Sequence, residues 1–424
     1  MKIRNGHTAS GSHTACTHKE IEINRHSLIW MDKNSSCYFH MLLRHIFQAC
    51  ILIFCCGFAF ADDGTNETID IGLQAAAKLA FGERSGALVA IDPNNGEVLA
   101  LVSMPAKGGK STSTKAKNLA IAKSYNPGST IKPFLALAAL ELGVRTAKDE
   151  VLDNGFYPYR EYRYVDGKEG GHGRVNLHRS IVQSCDTYYY GLAEDMGIDS
   201  IHRYLDQFGF GEKTGIDLEE EVAGILPSPT WKEERYKEQW LSGDTIITGA
   251  GRGYFRASPI QLARAVAMLA NGGILYRPRL VNADTAKGES TATVPEVEGK
   301  FALPTKHLAT IRNAMIAATR HGAARRSFAD AGYLVAGKTG SMPVIISMNE
   351  DGSVKTFKDH SLFIGYAPAD KPTIALAVIV ENGGFGYQSA APIARAVFDY
   401  FLLQQEIRKP VPELSEYVND RASD

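Results

Sequence analysis

Tyr125-Asn-Pro-Gly-Ser-Thr-Ile-Lys-Pro133 joins a turn to the start of a helix and places a serine at the junction. The Pro-Gly pair is a turn signal, and the apolar residues 134–142 predict a helix that ends at Gly143. Ser129 therefore lies at a helix N-terminus, where backbone N–H groups favour developing negative charge. Lys132 follows three residues later, on the same helix face. The pair predicts a nucleophilic serine beside a candidate base.

A single Ser-x-x-Lys motif is a weak signal. A serine nucleophile needs a neighbouring base, and a lysine can serve only if burial lowers its pKa enough to remove the proton. The alternative is that Ser129 is an ordinary N-cap and Lys132 a surface residue. Two later motifs favour the catalytic interpretation, because Ser184-Cys-Asp186 and Lys338-Thr-Gly340 follow in that order.

The composition is that of a globular protein. The chain has 424 residues, of which 44% are hydrophobic, and its formal net charge is −1. This charge balance argues against nucleic acid as a partner and against acidic disorder, and the apolar fraction suffices for a large core. No linker-like composition or internal repeat is visible. We therefore expect one large domain over residues 66–404, followed by a polar tail over residues 405–424.

The first 61 residues differ from the rest. They contain five of the six cysteines, so Cys185 has no internal disulfide partner in the remaining chain. Residues 41–61 combine a charged start, an apolar run and Ala59-Phe-Ala61, which is the pattern of a signal peptide. A membrane anchor is the alternative, although the apolar run is short for a span. We expect residues 1–40 to be a non-native extension, and the domain to be exported to the periplasm or the outer face of the cytoplasmic membrane.

Hydrophobic patterns predict a mixed α/β (α+β) fold. The β-rich residues 85–92 and 96–103 predict a hairpin near the start of the domain, and residues 361–367 and 373–380 predict two late strands. Strands at both ends with helices between them predict an antiparallel sheet built from the two ends. Helices are predicted over residues 71–81, 182–196, 259–271, 307–321 and 390–403, and a loop is predicted over residues 151–175.

Together these motifs resemble the transpeptidase domain of penicillin-binding protein 2, the elongation-type peptidoglycan D,D-transpeptidase family. The resemblance covers about residues 66–404 and also rests on Gly171-His-Gly-Arg-Val-Asn176, Thr214-Gly-Ile-Asp-Leu218 and Glu381-Asn-Gly-Gly384. It implies the penicillin-binding transpeptidase/β-lactamase-like fold, with a central antiparallel five-stranded sheet flanked by helices and an all-helical subdomain. Family members carry a long pedestal domain before the transpeptidase domain. Only a short segment precedes the first predicted strand here, so we expect the pedestal to be absent, which weakens the expectation that the cell-elongation machinery is a partner.

The resemblance implies acyl transfer through Ser129. This serine would attack the carbonyl between two terminal D-alanines of a peptidoglycan stem peptide, while Lys132, buried and neutral, accepts its proton. Ser184 would relay a proton to the departing D-alanine, and Asp186 stands where many relatives have Asn. β-Lactam antibiotics would acylate the same serine. Relatives usually have Gln where this chain has Arg252, which leaves the substrate contact there open.

The third motif would bind the substrate. The resemblance implies that Lys338 attracts the terminal carboxylate as a point charge and that Thr339 hydrogen-bonds it. Gly340 would let the substrate backbone lie against the strand. The backbone N–H groups of Ser129 and Ser341 would form the oxyanion hole.

A zinc site is a further hypothesis. Asp153, Asp166, His172 and Cys185 offer the ligands of a closed four-coordinate site. Alternatively, the aspartates are turn residues, the histidine belongs to a loop and the cysteine is a small buried hydrophobe. Some family members carry zinc at matching positions. The resemblance thus implies a structural Zn²⁺ that holds residues 151–185 against the active site.

Two rival functions stay open. A D,D-carboxypeptidase or β-lactamase would hydrolyse the acyl-enzyme with water. Against this, Ser184-Cys-Asp186 differs from the Ser-x-Val motif of class D β-lactamases, and a class A base motif at Glu150-Val-Leu-Asp-Asn154 lies in the wrong order. A non-catalytic module that binds β-lactams or muropeptides is the more distant rival.

Overall fold

The computed structural model describes residues 68–106, 117–280, 294–348 and 354–408. The extension expected over residues 1–40 and the signal peptide or anchor expected over residues 41–61 lie outside the described residues. So does most of the expected tail, although residues 405–408 continue the last helix. Within the described ranges, none of the helices combines the length and the apolar character needed to cross a membrane.

The described chain alternates between helices and strands along its length. The strands are β1 Gly86–Ile91, β2 Val98–Met104, β3 Val151–Asp153, β4 Phe156–Tyr159, β5 Tyr162–Val165, β6 Gly173–Val175, β7 Ile274–Tyr276, β8 Val297–Lys300, β9 Ala336–Met348, β10 Val354–Ala367 and β11 Ile374–Val380. The helices are α1 Ile71–Phe81, α2 Lys132–Glu141, α3 Leu177–Gln183, α4 Asp186–Met196, α5 Ile198–Asp206, α6 Pro229–Tyr236, α7 Ser242–Gly249, α8 Pro259–Asn271, α9 Thr305–Arg320, α10 Arg325–Phe328 and α11 Ala390–Arg408.

Five of the strands form one antiparallel sheet in the order β2-β1-β11-β10-β9. The last strand, β11, lies in the middle and pairs Ile379 with Ala87 of β1 and with Leu362 of β10. The predicted antiparallel sheet built from the two ends of the domain is thereby confirmed. Strand β9 forms one edge and carries the Lys338-Thr-Gly-Ser341 sequence at its start.

Side chains alternate between the two faces of the sheet, and each face has its own apolar core. Val89 and Ile379 contribute to a core with helices α2, α8 and α9. Their sequence neighbours Leu88 and Val378 contribute to the opposite core with helices α1 and α11. Every residue of β11 is buried because both of its faces are covered.

Most predicted helices agree closely with the observed ones. The predicted bounds of α1 and α8 match, and α8 has strong end signals. Ser258 caps it by accepting a hydrogen bond from the Gln261 N–H, Pro259 occupies its first turn, and Gly272 ends it with a φ of 87°. Helix α9 begins and ends within two residues of its prediction, and α11 extends beyond its predicted end.

The helix predicted over residues 182–196, beginning near the Ser-Cys-Asp triplet, is observed as α4, which starts at Asp186 of that triplet and ends at Met196, whereas residues 182 and 183 belong to the end of α3. Ser184 has a left-handed φ of 60° and ends α3, and Cys185 caps α4 by accepting from the Tyr188 N–H at 3.4 Å. Short polar side chains compete with helical hydrogen bonding and favour such caps. The break matters for the site, because Ser184, a predicted catalytic residue, lies between the two helices and not within either of them.

The prediction of a loop over residues 151–175 is wrong, because this segment contains two antiparallel ribbons. Strands β3 and β6 pair with each other, and β4 and β5 form a hairpin. The hairpin is rich in aromatic residues, and its Tyr164 ring lies 5.6 Å from that of Tyr190 on α4. Aromatic contact with a helix therefore stabilises a segment that sequence periodicity alone did not identify. The helical part of the domain accordingly includes small β-ribbons.

Candidate active site

Ser129 lies where the fold brings three segments together. It belongs to a 3-10 turn, Gly128–Ile131, that leads directly into α2, so the helix begins two residues earlier than predicted. The Gly128 N–H donates to the Gly251 carbonyl at 3.0 Å. Gly251 has a φ of 69°, and a Cβ there would lie 2.3 Å from the Gly128 oxygen. This close contact requires glycine and fixes the position of the half-buried serine.

Strand β9 packs against the same turn. A Cβ on Gly340 would lie 3.0 Å from Cγ2 of Thr130 and 3.3 Å from the Pro127 oxygen, which explains the glycine in the Lys-Thr-Gly motif. Thr339 and Ser341 flank this glycine on the strand, as predicted from the motif. The oxyanion hole formed by Ser129 and Ser341 stays a prediction, and this packing brings the two segments that would form it together.

Lys132 is fully buried and makes three polar contacts. Its Nζ donates to Asp186 Oδ1 at 2.5 Å, to the Ser184 carbonyl at 2.7 Å and to Ser184 Oγ at 3.4 Å. The burial agrees with the sequence prediction, but the site is an ion pair and not an apolar pocket. The role of Lys132 as the base for Ser129 stays a prediction.

The Ser184 hydroxyl connects the two motif lysines. It accepts a hydrogen bond from Lys338 Nζ at 2.7 Å, opposite its contact with Lys132. Burial and the positive charge of Lys132 lower the pKa of Lys338 well below its usual range, against the opposing effect of Asp186. Lys338 is only 1% exposed and also donates to the Thr339 carbonyl. Its Nζ is thus directed at Ser184, and any attraction for a substrate carboxylate acts from inside the protein.

Asp186 lies between two cations. Its Oδ1 accepts from Lys132, and its Oδ2 accepts from Arg252 Nη2 at 2.8 Å. Burial raises the pKa of Asp186, but the charges of Lys132 and Arg252 outweigh it, so the net pKa is lowered and the carboxylate stays ionised. Arg252 Nη1 also donates to the Tyr190 hydroxyl at 3.3 Å.

Sequence reasoning did not assign a role to Arg252 or Tyr190. Asp186 offered one signal. Many relatives have asparagine at this position, and a buried aspartate requires a compensating cation. Glu381 was missed as an anchor of the serine loop. It accepts from the Tyr125 hydroxyl at 2.9 Å and from Ser85 Oγ at 2.7 Å, and it pairs with Lys123.

The four predicted metal ligands come together. Asp153, Asp166, His172 and Cys185 each direct a ligand atom to one place, and these atoms all lie within 4.8 Å of one another. His172 Nδ1 lies 2.7 Å from Asp153 Oδ2 and 3.4 Å from Asp166 Oδ1. Cys185 Sγ lies 3.4 Å from Asp153 Oδ2. All four side chains are more than nine-tenths buried, so two carboxylates lie close together with little access to water.

Neighbouring groups orient these carboxylates. The Thr187 hydroxyl donates to Asp153 Oδ1 at 2.8 Å, and the Thr187 N–H donates to Asp166 Oδ2 at 2.9 Å. Because Thr187 is the residue after Asp186, the cluster is joined directly to the network of Lys132, Ser184 and Asp186. Such outer hydrogen bonds are typical of metal ligands, and they were not predicted from the sequence.

A serine at a helix N-terminus beside a Lys132–Ser184–Lys338 network, on a sheet of this topology, is the arrangement of an acyl-serine enzyme domain. The family profile described as "Penicillin binding protein transpeptidase domain" matches residues 86–399. The chain belongs to this family.

Individual relatives agree with this assignment. Peptidoglycan D,D-transpeptidase MrdA from Acinetobacter baumannii is 39% identical over 376 residues, which cover 83% of this chain and 56% of that protein. The crystal structure of PBP2 from Pseudomonas aeruginosa in complex with WCK 5153 matches with a TM-score of 0.71 at 36% identity, covering 81% of each chain. A complex between PBP2 and MreC from Helicobacter pylori matches with a TM-score of 0.68 at 26% identity, covering 80% of this chain and 64% of that one. The chain thus spans a little over half the length of the curated MrdA relatives.

Proposed function

We propose that this chain is a serine D,D-transpeptidase that cross-links peptidoglycan stem peptides through an acyl-enzyme on Ser129. The observation that carries the proposal is the Ser184 hydroxyl, which hydrogen-bonds both Lys132 and Lys338 next to the serine turn. Membership of the penicillin-binding transpeptidase family supports the same chemistry. β-Lactams are expected to acylate the same serine.

The first half-reaction begins when Ser129 Oγ attacks the carbonyl carbon of the D-alanyl-D-alanine bond. The serine proton passes to Lys132 after Lys132 has given its own proton, through the Ser184 hydroxyl, to the neutral amine of Lys338, which holds it for the leaving group. The N–H groups of Ser129 and Ser341 would stabilise the oxyanion of the tetrahedral intermediate. When the C–N bond breaks, the departing D-alanine amine takes up a proton, and Ser129 remains as an ester.

Lys338 and Ser184 provide the route for that proton. The lowered pKa of Lys338 makes its protonated form a ready donor, and its Nζ already donates to Ser184 Oγ. Ser184 can therefore pass a proton to the leaving amine and recover one from Lys338. In the second half-reaction, an amine from a neighbouring stem peptide attacks the ester and releases Ser129.

We expect full-length protein to form a stable covalent adduct with a fluorescent penicillin, since transpeptidases deacylate slowly with water. The adduct is followed over time by gel fluorescence and intact mass spectrometry, and the modified peptide is sequenced. Retention over hours on the peptide that contains Ser129 supports the transpeptidase. An adduct that forms and clears within seconds would identify a β-lactamase instead. A folded chain that gives no adduct would contradict the catalytic proposal.

We also propose that the domain acts outside the cytoplasm, in the periplasm or at the outer face of the cytoplasmic membrane. Its substrate, peptidoglycan, is assembled there. The solved complex of the Helicobacter pylori relative with MreC supports the cell-elongation machinery as a possible class of partner.

We further propose a structural Zn²⁺ ligated by Asp153, Asp166, His172 and Cys185. Two carboxylates, an imidazole and a thiol are a suitable ligand set for this ion, and their convergence within 4.8 Å fits a four-coordinate site. Burial and the charge of Asp166 raise the pKa of the Cys185 thiol, so a cation would supply the charge that stabilises its thiolate. Bound zinc would hold β3 and the start of α4 to the segment between β5 and β6, and it would contribute no chemical step.

Removal of this metal is expected to destabilise the domain. Protein purified without chelator should contain close to one zinc per chain, and Cys185→Ala should lose it and lower Tm by several degrees. Metal content is measured by mass spectrometry and Tm by scanning calorimetry. His178→Ala is the matched control, because His178 is an exposed histidine on nearby α3. Wild-type protein without stoichiometric metal, and with a Tm that a strong chelator leaves unchanged, would contradict the site.

A further inference from the structure

Arg252 differs from the two lysines of the active site in its exposure. Lys132 and Lys338 are almost completely buried, whereas 34% of the Arg252 side chain is accessible to solvent. Arg252 also follows Gly251 directly, and Gly251 packs on Gly128, next to the nucleophile. The guanidinium therefore reaches solvent close to the serine turn.

The Arg252 guanidinium has hydrogen-bonding capacity to spare. It donates from Nη2 to Asp186 and from Nη1 to the Tyr190 hydroxyl, which uses two of its five N–H groups. No other side-chain hydrogen bond of Arg252 is formed with the residues that the structure describes. Its orientation is nevertheless fixed by Asp186 and Tyr190, both on α4, so the unused donors are held in place.

Arg252 shares its hydrogen-bonded carboxylate with a second cation. Asp186 pairs with both Lys132 and Arg252. Burial lowers the pKa of Arg252, but the nearby carboxylates, including Asp166 and Asp359, raise it overall, so the guanidinium stays charged. Lys132 lies in the interior, and Arg252 is the member of this group that reaches solvent. A planar guanidinium binds carboxylates through two N–H groups and is suited to recognising one on a ligand.

We propose that Arg252 is a specificity-determining residue that binds a carboxylate of the acyl donor, located upstream of the scissile D-alanyl-D-alanine bond. The inference rests on the proposed function and deepens it by naming the donor class as a stem peptide with an acidic group. The upstream side is favoured because the predicted contacts of the terminal carboxylate, Lys338 and Thr339, lie on β9, whereas Arg252 contacts α4. Two carboxylates of one donor then have separate binding groups.

Two penicillins that differ by one carboxylate test this proposal. Benzylpenicillin and carbenicillin share a phenyl side chain, and carbenicillin adds a carboxylate to its α-carbon. The measured quantity is the ratio of their second-order acylation rate constants on the full-length chain, carbenicillin over benzylpenicillin. Arg252→Gln is expected to lower this ratio by about tenfold, which corresponds to loss of one charge-assisted hydrogen bond. Arg252→Lys should give an intermediate ratio, because it keeps the positive charge and loses the paired N–H donors of the planar guanidinium.

Arg256→Gln is the matched control. Arg256 is a partly buried guanidinium four residues away, and its side-chain partner is Asn126 and not Asp186. This variant should leave the ratio unchanged, so that a general loss of positive charge near the site is separated from the Arg252 effect. In the wild type, added salt should lower the ratio, because a partly exposed charge pair is screened.

The outcomes separate the two proposals. If Arg252→Gln slows both penicillins equally and leaves the ratio unchanged, Arg252 only positions Asp186, and the specificity proposal is overturned while Ser129 keeps its role. If the folded wild type forms no adduct with either compound, the proposed function fails, and this inference fails with it. A tenfold fall in the ratio for Arg252→Gln alone supports both.

Discussion

Substitution of Ser129 by alanine is expected to abolish covalent capture of penicillin. Loss of the attacking hydroxyl removes the acyl-enzyme itself, and removal of a catalytic serine typically lowers turnover by about 10⁶-fold. The adduct should therefore be absent from intact mass spectra even after hours with excess fluorescent penicillin. Because Ser129 is only half-buried, alanine should leave the fold and Tm close to those of the wild type.

Ser124→Ala is the control for this experiment. Ser124 is a half-buried serine in the same loop, five residues before the nucleophile, and it has no predicted role. It should acylate at a rate near that of the wild type. An adduct of full mass in Ser129→Ala would assign the nucleophile to another residue and contradict the mechanism.

Lys132→Met is expected to have the second largest effect. A general base contributes about 10²- to 10⁴-fold to rate, so acylation should fall within that range or beyond it. The substitution also removes the closest cation from buried Asp186 and leaves Arg252 as its ion-pair partner. Leaving a buried charge without a partner costs about 3–5 kcal/mol, and because Arg252 still pairs with Asp186 we expect a smaller cost and a modest fall in Tm. Stopped-flow acylation and calorimetry measure the two effects separately.

A double variant distinguishes chemistry from charge balance. Lys132→Met/Asp186→Asn removes both members of the buried pair, so the stability lost in the single variant should largely return. Acylation should stay slow, because the base is still missing. Recovery of acylation in the double variant would mean that Lys132 serves only to neutralise Asp186, and the assignment of a base would have to move to Lys338 and Ser184.

Local sequence patterns predict much of the fold. The bounds of α1 and α8 and the β1–β2 hairpin follow from apolar periodicity and from turn and cap residues. Each predicted catalytic motif can also be recognised locally, because it is a short sequence whose chemistry needs few residues. The topology then places these strings next to one another, as the contacts among Lys132, Ser184 and Lys338 show.

Other features depend on tertiary contacts that no local pattern encodes. Ser184 adopts a left-handed conformation in a segment with helical periodicity, and there its hydroxyl meets two lysines from distant parts of the chain. The β4–β5 hairpin depends on an aromatic contact with α4. The Asp186–Arg252 pair joins residues 66 positions apart. In each case the partner comes from elsewhere in the chain, so the sequence suggested the residue but not its environment.

The position of β11 has a consequence for biogenesis. Because the last strand to be synthesised is the middle strand of the sheet, the β1–β2 and β9–β10 pairs have nothing to join them until residues 374–380 have left the ribosome. The β1–β11 pairing therefore joins residues almost 300 positions apart, and contacts of such long sequence separation slow folding. A nascent chain that stops before β11 would expose two unpaired strand edges, which are targets for aggregation and for quality-control proteases.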